Sequence, residues 1–301
     1  VPALVRYALD EPNAYLLDKA EFALDGEEWN PQEELLRADN RLRDRLGWPQ
    51  RRNAVAQPWT VREEKAEHTV RLRFTVPFKT NAANVKLALE DADVAHVYLD
   101  GREITAPQDG WYVDKSIGTR PLGDIQAGTH QIVVELPFGR RTNVEWCYLI
   151  GAFGVRMQGE YREITALPEM LGFDDVTVQG LPHYGGNITY FVPFTTHGGP
   201  VRVTAPHYEG TALRVAVDGE KRGYIAYSPY ALELGALPAG EHTLELTLLG
   251  NRENAFGPLH RADVANSWVG PDAWRTEGVR WTDSYRLTKL GVRTAPWIEE
   301  E

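Results

Sequence analysis

Two heptapeptides constrain this 301-residue chain more than any other feature: FTVPFKT at 74–80 and YFVPFTT at 190–196, offset by 116 positions. If the repeat marks two copies of one domain, agreement has to continue downstream, and it does. Residues 85–89 and 201–205 are alternating, strand-like patterns at the same offset. VYLDG (97–101) and VAVDG (215–219) each run a short strand into an Asp-Gly turn. GTHQIVVEL (128–136) and GEHTLELTL (240–248) both lead from a turn glycine into a further strand, GRRTN (139–143) answers GNREN (250–254), and FGVR (153–156) answers LGVR (290–293). Anchors that keep their order while their offsets drift imply an internal duplication with loop insertions.

The pattern therefore predicts an all-β chain of two tandem jelly-roll β-sandwiches, 1–160 with an N-terminal extension and 161–301. The length is sufficient for two such cores. One helix interrupts them. Asn30 as N-cap, Pro31 at the first helical position and Glu33 in the first turn precede Leu35, Leu36, Leu42 and Leu46, and Gly47 supplies a stop. These features predict an amphipathic helix over 31–46 on the flank of the first sandwich. The second copy carries the larger insertion, a Trp-rich loop over 255–285, long enough that function or packing has to account for it.

Composition excludes several classes. Forty-three acidic residues against 32 basic ones give a formal charge of −11, which disfavours a nucleic-acid partner. Apolar runs are strand-sized, so no membrane span is expected. The opening VPALVRYALDEPN shows neither an initiator Met nor a basic leader and reads as a fragment of a longer chain; nothing in it fixes a compartment. Cys147 is the only cysteine, which rules out an intrachain disulfide, and within WCYLI it reads as a small core residue.

The segments LDKAEFALDGEEW (17–29) and GLPHYGGNITYFVPF (180–194), the two strand–Asp-Gly turns and the two Gly-Thr/Glu-His strands carry a resemblance. Together they resemble the galactose-binding-type jelly rolls that accompany catalytic domains in large bacterial glycoside hydrolases, of the family 2 and family 106-like rhamnosidase kinds. The resemblance implies a non-catalytic, ancillary region whose partners are carbohydrate and the catalytic domain of the same polypeptide. A catalytic barrel, with its alternating strands and helices, is missing from the pattern.

Sugar faces stack on aromatic rings while their hydroxyls bond polar groups at the rim. The long loop interleaves both kinds of residue: Asn266, Trp268, Trp274, Arg275 and Trp281, with His260 at its entry. His183, Tyr184 and Asn187 form a second candidate site beside the Gly185-Gly186 turn, and Trp111 a third. Against these stand structural readings: a loop folded over a seam, a turn whose Asn satisfies backbone groups, a buried imidazole on a carbonyl. Trp146 and Tyr148 are expected in the core. No catalytic residue is assigned; Glu145, an acid in an apolar strand, is expected in an ion pair with Arg140 or Arg141. No cofactor is expected beyond a possible structural Ca²⁺ near Asp174-Asp175 or Asp91/Asp93. The function classes that remain are a glycan-binding ancillary region, a scaffold that docks on a catalytic domain without binding sugar, and a glycosidase with its site between the copies.

Overall fold

The structure is a computed structural model that describes residues 1–51, 65–142, 144–262, 273–274 and 277–300. It is all-β, built from antiparallel sheets in sandwich fashion, with short helices at Leu35–Arg45 and Glu253–Phe256. Among the described residues no helix is long and apolar enough to cross a membrane.

Two compact units share the chain, and neither is continuous. The first sandwich comprises Ala14–Ala166 and Pro258–Arg286; the second comprises Val1–Asn13, Leu167–Gly257 and Leu287–Glu301. A single boundary near residue 160 therefore does not describe the division, because each half of the chain lends a segment to the other sandwich. Pairing accounts for the N-terminal exchange: strand Leu4–Leu9 lies antiparallel to Ile188–Thr196, with Arg6 opposite Phe191 and Leu9 opposite Ile188.

In the first sandwich the central ladder joins His68–Phe78 to Gly128–Phe138 without a register break. Alternation puts Val70, Leu72, Phe74, Val76 and Phe78 into the core with Ile132, Val134, Leu136 and Phe138. A second sheet contains Ala82–Glu90, Asp114–Ile125 and Cys147–Gly151. In the second sandwich Ile188–Thr196 pairs with Gly240–Leu249, burying Ile188, Tyr190, Val192, Leu244, Leu246 and Leu248. Gly199–Thr204, Ala231–Leu237 and Trp297–Glu300 form a separate three-stranded sheet.

The paired Asp-Gly motifs make the same turn. Asp100 and Gly101 have φ of 51° and 80°, Asp218 and Gly219 of 52° and 82°, the two positive values that a type I′ hairpin turn demands. Each aspartate then clamps the neighbouring strand on the other side, Gly128–Phe138 or Gly240–Leu249. Asp100 accepts from the Gln131 N–H at 2.8 Å and meets His130 Nδ1 at 2.6 Å; Asp218 accepts from the Thr243 N–H at 2.8 Å and meets His242 Nδ1 at 2.7 Å. The other ring nitrogen faces a carbonyl in both cases, that of Gln126 or Pro238. Measured by these clamps, the repeated heptapeptides are not in equivalent register. His130 faces Val76 and His242 faces Phe194, an offset of 118 where the sequences match at 116. A slip of two residues keeps every side chain on its own face, so the sequence pattern tolerates it.

The predicted helix begins four residues late. Asn30–Glu34 is a strand on the edge of Lys19–Leu24, where the missing N–H of Pro31 is tolerated, and the helix is Leu35–Arg45. Its N-cap is Glu34, whose carboxylate accepts from the N–H groups of Leu36 (3.1 Å) and Arg37 (3.0 Å). The buried face is partly ionic: Asp39 and Arg43 pair at 3.0 Å, and Arg43 Nη2 also donates to the Thr142 carbonyl at 2.7 Å.

Candidate functional site

The densest polar chemistry in the first sandwich converges on Asp18, which is fully buried. Its Oδ1 accepts from Arg162 Nη2 at 2.8 Å and from the Tyr285 hydroxyl at 3.0 Å, and its Oδ2 lies 2.6 Å from His260 Nε2. Arg162 also donates to the Leu16 carbonyl at 2.7 Å and lies over the rings of Tyr15 and Tyr285. Burial alone would lower the Arg162 pKa; the Asp18 carboxylate outweighs it and holds the guanidinium charged. Burial raises the Tyr285 hydroxyl, and Asp18 raises it further. The hub ties two residues of the long insertion, His260 and Tyr285, to Asp18 at the junction of strands Asn13–Leu17 and Lys19–Leu24, which is why 258–286 belongs to the first sandwich.

Beside it sits Glu34. Trp146 Nε1 donates to its Oε1 at 2.5 Å, so Trp146, placed in the core by its sequence, is buried there with a satisfied N–H. Burial pushes the Glu34 carboxyl up to about 8; Trp146 and the Leu36 and Arg37 N–H groups oppose the shift, and the Asp18 charge adds to it. Glu34 is therefore a neutral acid through most of the physiological range. Glu34 has the perturbed character of a catalytic carboxylate, but both it and Asp18 are enclosed by protein.

The sequence candidates fall into distinct settings. Asn266, Trp268 and Arg275 lie outside the described residues. Trp274 is half-buried. Trp281, also half-buried, stacks on His260 with ring centres 4.6 Å apart and takes the Arg37 guanidinium over its ring at 4.5 Å. His260 is buried, its Nδ1 3.0 Å from the Thr282 carbonyl.

His183 and Tyr184 are buried in the second sandwich, His183 Nδ1 lying 2.9 Å from the Asn254 carbonyl. The Tyr184 hydroxyl accepts from the Asp10 N–H at 3.1 Å and lies 2.8 Å from the Asn187 carbonyl. Asn187 donates to Asp10 Oδ2 at 2.6 Å and accepts from the Gly250 N–H at 3.2 Å. Gly186 and Gly250 are required by proximity: a Cβ at Gly250 would collide with the Gly186 carbonyl oxygen, and one at Gly186 with the Tyr184 hydroxyl. This second candidate set is thus a fastening between 1–13 and the body of its own sandwich, which Arg252 and Glu11 extend as an ion pair.

Trp111 is exposed and its neighbour Tyr112 buried. Glu145 is half-buried, with Arg51 Nη1 at 3.9 Å. Asp174 pairs with Arg293 at 3.0 Å, and Asp175 accepts from the Thr177 N–H and hydroxyl. Among the described residues no cluster of three His, Cys, Asp or Glu could hold a metal. Burial pushes the Cys147 thiol up to about 12, which leaves it an inert core residue.

Open clefts lie elsewhere, two of them in the second sandwich and a smaller one of about 350 Å³ in the first, lined by Phe22, Pro31, Glu33 and Arg45 among others. A cleft of about 630 Å³ is lined by Phe194, His197, Pro296, Trp297 and Glu300 among others, and a second of about 440 Å³ by Phe194, Asp218, Glu241 and His242. Pro193, Phe194 and Thr195 form a wall common to both. These three residues belong to the repeated heptapeptide; Trp297 is one that sequence reasoning missed. A tryptophan between Pro296 and the acids of WIEE, beyond the last repeat anchor, was the available signal.

Fold and surface together define an all-β chain of sandwich type with an aromatic-lined open cleft. No family model and no curated relative matches the sequence. Among solved structures the chain is similar to a rhamnosidase from Novosphingobium sp. PP1Y (16% identity, TM-score 0.32, covering 79% of this chain and 23% of that one). It is also similar to a GH2 beta-galacturonidase from Eisenbergiella tayi (14%, TM-score 0.27, 80% and 37%) and to the exo-chitosanase CsxA of Amycolatopsis orientalis (10%, TM-score 0.32, 80% and 29%). The chain spans between 23% and 37% of the length of these three structures.

Proposed function

We propose that this chain is a non-catalytic, carbohydrate-binding ancillary region of a glycoside hydrolase, working beside a catalytic domain of the same polypeptide. The observation that carries the reading is that the motifs behind the sequence resemblance form one physical object twice. A strand enters an Asp-Gly turn of type I′, and the aspartate clamps both the histidine and the following N–H of the strand on the opposite side from the hairpin partner, Gly128–Phe138 or Gly240–Leu249. The buried carboxylates support the non-catalytic half of the reading. Asp18 and Asp39 each meet a buried arginine, the buried Glu163 pairs with the exposed Arg156, and Glu34 caps a helix. A glycosidase needs two carboxyl groups flanking a bound sugar, one protonated and one charged.

Titration of the intact chain with a panel of neutral and acidic oligosaccharides, followed by calorimetry, tests the proposal. Binding of at least one glycan without release of aryl leaving groups from nitrophenyl glycosides is the expected result. Turnover would overturn the non-catalytic reading. A second reading, a scaffold that docks on the catalytic domain without binding sugar, draws on the inward engagement of His260 and Trp281, and silence across the whole panel would favour it.

A further inference from the structure

Strand Ile188–Thr196 is flanked on one side by Gly240–Leu249 along its whole length. On its other side Leu4–Leu9 covers only Ile188 to Phe191. The corresponding strand of the first sandwich is covered at both ends: Lys19–Leu24 lies along Val70 to Arg73, and Ile164 of Tyr161–Thr165 pairs with Phe78, reinforced by a 2.8 Å bond from the Lys79 N–H to the Ile164 carbonyl. Among the described residues, the half-edge 192–196 therefore lacks the cover its counterpart has, and it is this half-edge that walls both clefts.

We propose that the larger cleft is a glycan subsite for a neutral pyranose, stacked on Trp297 against the wall formed by Pro193 and Phe194, with its hydroxyls held by Glu300 and His197. The proposal rests on the carbohydrate reading above and gives it a location and a ligand chemistry. Trp297 is 61% exposed, a large ring left in water beside Pro296 and the half-buried Phe194. Apolar rings in an open cleft with a polar rim are what a sugar face and its hydroxyls require. At the rim, Glu300 Oε1 accepts from the His197 N–H at 2.9 Å and Oε2 lies 3.1 Å from His197 Nδ1. Those two bonds fix the carboxylate in place and hold it below the usual carboxylate range, yet each oxygen keeps lone-pair capacity for a hydroxyl donor.

Two features narrow the ligand. Pro193 withholds an N–H from the open half-edge, which blunts it as a template for an added peptide strand. Glu300 in this cleft and Glu241 in the adjoining one give the surface a negative character that disfavours uronic acids.

The test is a Trp-fluorescence and calorimetric titration of the whole chain with neutral cello-, galacto- and manno-oligosaccharides and, separately, with galacturonic acid oligomers. A neutral oligosaccharide should quench fluorescence; Trp297→Ala should weaken its binding at least tenfold and abolish the quench, and Trp297→Phe should retain most of the affinity. His197→Ala, at a side chain 97% exposed, leaves the fold intact and should weaken binding about three- to tenfold. Uronate oligomers should bind at least tenfold more weakly than neutral ones. Neutral-glycan binding that survives Trp297→Ala and His197→Ala but is lost in Trp274→Ala would overturn this site and leave the carbohydrate reading standing. Preference for uronates would overturn the ligand class. Failure of every glycan to bind would overturn both proposals together.

Discussion

The two sandwiches carry the same Asp-Gly turn and the same histidine clamp, but they secure their borrowed segments with different chemistry. In the first, the insertion 258–286 is tied through Asp18, Arg162, His260 and Tyr285, with Asp18 fully enclosed. In the second, residues 1–13 are tied through Asp10, Tyr184 and Asn187, with the Arg252–Glu11 ion pair 36% and 29% exposed. A buried hub of charges is unforgiving, because removing one member strands the others away from water, whereas a half-exposed fastening can fall back on solvent. The first sandwich should therefore respond steeply to single substitutions at its hub, and the second shallowly.

The sharpest way to break that contrast is Asp18→Asn. It leaves the Arg162 guanidinium buried without its counter-charge and should destabilise the first sandwich by about 3–5 kcal/mol. Urea denaturation should then show that sandwich unfolding well before the second; a loss below about 1 kcal/mol would remove the distinction between the two fastenings.

Glu34→Gln is next in size. Burial pushes the Glu34 carboxyl up to about 8 in the fold from an ordinary value of 4.5, so its protonated form favours the folded state. That contribution is complete below pH about 4.5 and is lost as pH rises towards 8, by an amount on the order of a few kcal/mol. The glutamine, neutral throughout, should flatten the pH profile of urea midpoints over that window while keeping an acceptor for Trp146.

Tyr184→Phe probes the other fastening. Its hydroxyl serves the Asp10 N–H and the Asn187 carbonyl, and its loss should cost about 1–3 kcal/mol. Amide exchange at residues 4–9 should quicken, with protection in the first sandwich unchanged.

The smallest effect is expected at His242→Asn. The Asp218 bond raises the pKa of His242, and the His242 bond lowers that of Asp218. The histidine's contribution is full below its unfolded pKa near 6.5 and fades as pH rises through its higher folded value; the aspartate's is full above about 4 and fades as pH falls. Both operate together between about pH 4 and 6.5. The variant should lower the melting temperature of the second sandwich slightly within that window and hardly at all at pH 9.

Much of this architecture was legible in the sequence because strands and hairpin turns leave local signals. Alternation marks 74–78 and 190–194, and Asp-Gly marks both I′ turns. The helix start is ambiguous in the sequence because Asn30-Pro31 suits an edge strand as well as a first helical turn, and only the tertiary pairing with Lys19–Leu24 decides between them. The register slip is invisible there, since a shift of two preserves the alternation that a reader sees. The hub is hidden for a different reason: Asp18, Arg162, His260 and Tyr285 are single polar residues far apart in the chain, with no spacing to connect them. His260 and Trp281 stand out as residue types, but burial direction is a tertiary property, and these two turn towards each other. Trp297, which lines the open cleft, lies past the last anchor of the repeated sequence pattern, where that pattern draws no attention.

The exchange of segments has a consequence for biogenesis. When residue 170 has just emerged from the ribosome, the earlier sandwich still awaits His260 and Tyr285, and Leu4–Leu9 still awaits the strand at Ile188–Thr196. Neither body can close until the stretch 258–301 has been made, so the nascent protein completes both at almost the same moment.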